Sequence, residues 1–333
     1  MCFPSQRGEI LLREWAWRSQ AVGLCTRSAC PIVFDMTVAI SEAPTGCRSC
    51  VQPSAGTGEP QDEAGLGGNM PTKGKAPTRR TASQFGGYGW RPQLPDLRDA
   101  KLAIPATTAL PSEVDLSAQA DMPPIYDQGQ LNSCTANALA AAVDFDNHLQ
   151  TQLFLTPSRM WIWYQERAIE GHVAQDVGAY IRDGAKVVAS LGVCPEADWP
   201  YDPATFANTP PQQDFTAALG DRVLTYAAPP QDLWSLKSVL AGGRPVVFGF
   251  TVYSSFESQQ VADTGIVPMP RPGEASKGGH AVVLVGYNDA VDRFRVRNSW
   301  GTGWGRQGYC EMPYLYVTSP SLASDFWVLQ TVS

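Results

Sequence analysis

Histidine is scarce in this sequence of 333 residues: only His148, His172 and His280 occur. That leaves little room for a histidine-based metal centre, and the helical zinc signature HExxH is missing. No apolar run approaches the ~18 residues of a membrane-crossing helix. Basic charge is not in excess either. Lys and Arg total 25 against 32 Asp and Glu, for a net charge of −7, which argues against a nucleic-acid binder. Cysteine is sparse through most of the chain. Five of the eight (Cys2, Cys25, Cys30, Cys47, Cys50) lie in the first 50 positions, and only Cys134, Cys194 and Cys310 follow. Three dispersed cysteines do not read as a disulfide framework. Cys47 and Cys50 have CxxC spacing, but no second pair or suitably spaced histidine follows, which argues against a zinc or redox role.

What is present divides the chain in three. Residues 1–69 carry a net charge of −2, residues 70–109 of +5 and residues 110–333 of −10. The first 35 residues lack an apolar core followed by a small-residue cleavage site, so Met1 opens no ordinary secretory signal. Residues 41–85 are rich in Gly, Pro, Ser, Thr and Ala, and such a stretch does not repay its ordering entropy. Residues 1–84 are therefore expected to be disordered or to overextend the chain, with Met36 and Met70 as alternative starts. Residues 85–109 read as a short basic strap, since its prolines and turns argue against a helix. Tyr88, Trp90, Leu94 and Leu97 are its expected anchors. Residues 110–333 form the expected folded domain.

Within that domain the periodicity changes. Helical spacing predicts helices from Cys134 to about Leu149, from about Ser158 to Ile169, from about Val177 to Leu191, and from Asp232 to Leu240. After Gly242-Gly243 the period becomes two, which predicts strands through Val246–Val252, Ala281–Tyr287, Phe294–Val296, Tyr309–Met312 and Phe326–Leu329. Helices followed by strands, without βαβ alternation, indicate an α+β fold with a helical half and an antiparallel half.

Two features carry chemistry. Cys134 begins a helix after a Gly-containing loop, where free N–H groups and partial positive charge favour thiolate. The ordinary alternative is a buried, inert cysteine. His280 stands after Gly278-Gly279 at the mouth of the most apolar strand, and it could equally be a structural imidazole. Asn298 follows the next strand, where its oxygen is able to accept from an imidazole N–H. The glycines at 301, 303 and 305 precede no helix, so a tight turn is expected there and not a phosphate cradle.

Three motifs, QGQLNSC at a helix start, GGHAVVLVGY on a strand and NSWGTGWGRQGY after the next strand, resemble the papain-like cysteine peptidase family in order, spacing and context. The resemblance covers about Leu110 to the C-terminus. It implies a two-lobed α+β fold, with the nucleophile helix in a helical N-terminal lobe and a barrel-like antiparallel C-terminal lobe. It implies Cys134 as nucleophile, His280 as its acid–base partner, Asn298 to orient His280, and Gln128 as an oxyanion donor. Trp300 would shield the His280–Asn298 bond and stand with the substrate-binding residues. Gly178 and Ala179 would pair with the substrate backbone. Ile181, Gly249 and Gly279 would surround the main specificity pocket, which is then expected to be apolar and without an acid at its base. No cofactor or metal is implied. The expected partner is a peptide or protein substrate, with no nucleic acid or membrane, and the chain is expected to act as a monomer.

There are departures from the family pattern. Leu131 and Gln175–Gly178 replace the usual cysteine-bearing stretches, Thr135 replaces the usual Trp, and residues 1–109 lack the periodicity of the long helical propeptide. The missing disulfides are compatible with the cytoplasm. The basic strap is expected either across the cleft or on the back of the domain. A cysteine endopeptidase is the leading reading. A transferase or amidase with the same chemistry and a catalytically silent binding domain are the alternatives.

Overall fold

Two of the four long helices begin where a capping side chain meets a run of helical period. The computed structural model describes residues 87–104, 109–151, 156–220 and 225–330. The expectations for residues 1–84, including Cys47 and Cys50, lie outside the described residues. In chain order come β1 (Glu113–Asp115), α1 (Cys134–Thr151), α2 (Arg159–Glu170), α3 (Ile181–Ser190) and α4 (Gln212–Ala218). Then follow β2 (Thr225–Ala227), α5 (Leu233–Ala241), β3 (Val246–Tyr253), α6 (Gln259–Thr264) and β4 (Ser276–Asn288). The chain continues with β5 (Arg293–Arg297), β6 (Tyr309–Pro313), α7 (Tyr314–Thr318) and β7 (Ala323–Gln330).

Helix α1 is buried on every side from Cys134 to Asn147, as a helix through the middle of a core must be. It packs on α2 and α3 on one side and on β4 on the other. Helix α2 is capped by Ser158, whose hydroxyl accepts from the Trp161 N–H, and it ends at Gly171 in the left-handed conformation, φ 75°. Its Trp161 and Trp163 are fully buried, each burial favouring the fold by roughly 2–3 kcal/mol. Helix α5 is capped by Asp232 in the same way as α2.

Helix α3 begins four residues later than helical spacing predicts. Residues 177–180 are extended because the Ala179 N–H donates to Gly89 O (2.7 Å) and Ala179 O accepts from the Arg91 N–H (3.1 Å). A tertiary backbone pairing therefore overrides the local periodicity. Helices α4, α6 and α7 span 7, 6 and 5 residues, too short for a period to show in sequence.

The strands run antiparallel in the order β2-β7-β3-β4-β5-β6, with β1 also paired to β4. Strands β3 and β4 place Phe250 opposite His280. Phe248 stacks on Phe326 at 5.2 Å, and Phe250 meets Phe256 edge-on at 5.1 Å. This aromatic layer supports the strand that carries His280. Between Val247 and Gly249 of β3 the β7 partner shifts from Trp327 to Ser324. Two steps on β3 thus face three on β7, which is a β-bulge. Among the described residues no helix is long and apolar enough to cross a membrane.

Candidate active site

The loop before α1 is tied to the segment after β5. Gln128 N–H donates to Ser299 O (2.8 Å), and Gly301 N–H donates to Tyr126 O (2.9 Å). Gly129 turns the loop at φ 60°, a conformation that favours glycine. The Gln128 side chain is fully buried and doubly oriented. Its Oε1 accepts from the Ser299 hydroxyl (2.6 Å), and its Nε2 donates to Leu131 O (2.9 Å) and to Gly87 O (3.0 Å). Tyr201 donates to Gln128 O (2.9 Å) and meets the Ser133 hydroxyl at 2.6 Å, so the Asp198–Tyr201 turn braces the loop before α1.

Cys134 is the first residue of α1 and is fully buried. Its Sγ accepts from the Ala281 N–H at 3.4 Å and from the Gly89 N–H. Ala281 follows His280 on β4, so α1 and β4 bring the thiol and the imidazole together. His280 Nε2 lies 2.8 Å from Asn298 Oδ1, which also accepts from the Ser299 N–H at 2.8 Å. Held by that donor, Asn298 Oδ1 is an acceptor, so Nε2 carries the proton. His280 Nδ1 is buried without a hydrogen-bond partner. Trp300 covers the imidazole at 4.9 Å and 33°, while Trp300 and Trp304 meet edge-on at 5.2 Å around the left-handed Gly301 and Gly305.

Burial sets the charge state of the pair. It pushes the Cys134 thiol up to about 12, outweighing the N–H donors of Ala281 and Gly89 that favour the thiolate. It also holds His280 down to about 4, against the opposing hydrogen bond that His280 donates to Asn298. In this arrangement the pair is a neutral thiol beside a neutral imidazole.

Residues 87–93 of the strap supply the covering atoms. Trp90 N–H donates to Gly279 O (3.0 Å), and Gly89 and Arg91 bond Ala179 in a parallel bridge. A Cβ on Gly178 would lie 2.2 Å from Gly89 O, and one on Gly249 would lie 2.0 Å from the Trp90 ring. Trp90 also blocks a Cβ on Gly279, at 2.6 Å from a ring carbon. Gly178, Ala179, Gly249 and Gly279 thus converge on the strap, and Ile181 is fully buried two residues beyond Ala179. Tyr88 packs edge-on to His280 and Trp300 and donates to Glu257 at 2.6 Å.

Two expectations need correction. Leu94 and Leu97 do not anchor the strap; they are 87% and 103% exposed. Polar contacts hold this part of the strap instead: Arg182 donates to Leu94 O and to Asp99. The pocket beside Gly249 and Gly279 is also not free of acid. Asp325 Oδ2 accepts from the Trp90 indole N–H and from the Gln93 N–H, both at 3.0 Å. Sequence reading missed Asp325 because only the bulge in β7 turns it toward this pocket. Ser299 and Tyr201 had a signal in their motifs; Glu257 had none.

The fold is that of a cysteine peptidase. The chain belongs to the papain family of cysteine proteases, whose family model matches residues 110–318. It is 44% identical over 216 residues to an uncharacterized peptidase C1-like protein of Acanthamoeba polyphaga mimivirus, covering 62% of this chain and 70% of that protein. It is 28% identical to a cathepsin L-like peptidase of Aedes aegypti, covering 62% of this chain and 60% of that one. Among solved structures it resembles xylellain, a cysteine protease from Xylella fastidiosa, with a TM-score of 0.70 and 42% identity. That match covers 78% of this chain and all of the other.

Proposed function

We propose that this cysteine peptidase is an endopeptidase working through Cys134, His280, Asn298 and Gln128, and that residues 87–93 hold it latent. The carrying observation is the Nε2–Asn298 Oδ1 contact of 2.8 Å, which leaves Nδ1 without a partner on the residue next to the thiol's donor, Ala281. Nδ1 takes the thiol proton as Sγ attacks the peptide carbonyl. The imidazolium then protonates the leaving amine, and water hydrolyses the thioester, returning the proton through His280. Gln128 Nε2 and the Cys134 N–H stabilise the oxyanion. The present use of Gln128 Nε2, donating to Gly87 O, supports this role, because a carbonyl already occupies its free donor direction.

The parallel pairing of the strap with Ala179 supports latency, and so does the neutral state of the pair. When the strap leaves and water enters, the desolvation penalty falls; the thiol pKa drops and the imidazole pKa rises toward an ion pair. Peptide cleavage followed by mass spectrometry tests the reading. Wild-type chain yields products ending in a free carboxylate, and Cys134→Ala yields none. Gln128→Ala lowers kcat by about 10²–10³-fold. Products carrying an added amine in place of water would point to a transferase instead.

A further inference from the structure

The β7 bulge opposite Phe248 carries one feature that the proposed chemistry does not use. Asp325 sits in it with φ 58°, a left-handed conformation that costs energy for any residue but glycine, less for Asp or Asn than for most. The bulge turns the carboxylate toward the Trp90 ring. Asp325 Oδ2 accepts from two donors of the strap, the Trp90 indole and the Gln93 backbone N–H. The neighbouring cation, Arg182, is engaged elsewhere, by Leu94 O and Asp99. The walls fit the same occupant: Gly249 and Gly279 have no Cβ where one would strike the indole. The pocket is thus shaped for a wide planar ring and ends in an acceptor. Once the strap is gone, that acceptor is left without its donors, and a substrate side chain lacking an N–H there leaves it unpaired.

We propose that Asp325 is a specificity-determining residue, which makes this pocket select a wide, planar substrate side chain tipped with an N–H donor, as in tryptophan. The assignment rests on the peptidase reading and on departure of the strap. Burial of Asp325 favours its protonated form, but a protonated carboxyl still presents an acceptor oxygen.

The test uses the full chain and two peptides that differ at one side chain: tryptophan, or its benzothiophene analogue with sulfur in place of the N–H. The strap reduces kcat/KM for both by the same fraction, so its occupancy cancels in their ratio. Rates are taken per Cys134 titrated with an epoxide inactivator, which removes any misfolded fraction. Wild type is expected to prefer the tryptophan peptide by about tenfold or more. Asp325→Gly, which tolerates the backbone conformation, brings the ratio near one. Asp325→Asn, which keeps an acceptor oxygen, retains most of the preference. Equal cleavage by wild type, or an unchanged ratio in Asp325→Gly, overturns the role of Asp325 alone. Absence of cleavage together with absence of a Cys134 adduct overturns the peptidase reading beneath it.

Discussion

At Cys134 and at Glu166, two residues within reach of the same helix, burial opposes ionisation in different ways. Cys134 has a helix start and three backbone N–H groups in favour of the thiolate, yet burial keeps the thiol protonated. Glu166 is fully buried, accepts from the Thr135 hydroxyl at 2.8 Å, and has no partner on Oε1. Burial pushes its carboxyl up to about 8. A carboxyl raised above its ordinary value near 4.5 favours the fold below that value, and the advantage is lost as pH rises to about 8. Glu166→Gln removes this titration while keeping an oxygen for Thr135. Thermal melts from pH 5 to 8.5 should therefore show wild type losing stability relative to Glu166→Gln as pH rises, by several degrees. A constant gap would place the proton elsewhere. The residues at the site differ in how far sequence announces them. Cys134, His280 and Asn298 each stand at a position the local pattern marks, at a helix start or a strand end. Asp325 stands one residue before the strand expected at Phe326–Leu329, and its orientation comes from one extra residue in the pairing of β7 with β3.

Among the elements, the strap is the one most dependent on tertiary contact. Its backbone pairs with Ala179 and Gly279 near the site and with Ala228 further on, through Ala100 and Leu102. Its extended conformation is legible from Pro and Gly, and so are two of its four expected anchors, Tyr88 and Trp90. Hydrophobicity alone puts Leu94 and Leu97 on a par with Trp90, whereas only Trp90 and Tyr88 find pockets with acceptors, Asp325 and Glu257. Tyr88→Phe, which removes the bond to Glu257, should raise the initial peptidase rate of the full chain several-fold. Trp90→Ala should raise it further, since a 5%-exposed indole is lost as well. Progress curves with a peptide that does not rely on this pocket measure both, and unchanged rates would separate the strap from control of the site. The four long helices are legible because their periods run for two turns or more, and the five strands because apolar residues alternate or run together over several positions. The start of α3 is not, because its first expected turn is pulled out to pair with the strap.

For the whole molecule, segregated charge suggests a basic strap drawn to an acidic body. The contacts are more evenly divided. Arg91 pairs with Glu170 and lies over the Tyr180 ring, but Asp99 pairs in the opposite sense with Arg182. Such pairs contribute little when partly exposed and screened, so hydrogen bonds and buried aromatics carry the docking. Raising salt from about 0.05 to 0.5 M, roughly a threefold shorter screening length, should change the latent rate by less than about twofold. A tenfold rise would restore the electrostatic account.

The central claim is that Cys134 is an activatable nucleophile under residues 87–93. It is tested most directly by the rate at which a peptidyl epoxide labels the full chain, read by mass spectrometry, in wild type, Gly89→Ala and Cys134→Ala. A Cβ on Gly89 would fall 1.8 Å from Asn132 O, so this substitution displaces the strap without touching a residue of the proposed catalytic group. The account predicts slow labelling of wild type, labelling at least about tenfold faster in Gly89→Ala, a single adduct on Cys134, and none in Cys134→Ala. Equal rates in wild type and Gly89→Ala, or an adduct that survives in Cys134→Ala, would contradict it.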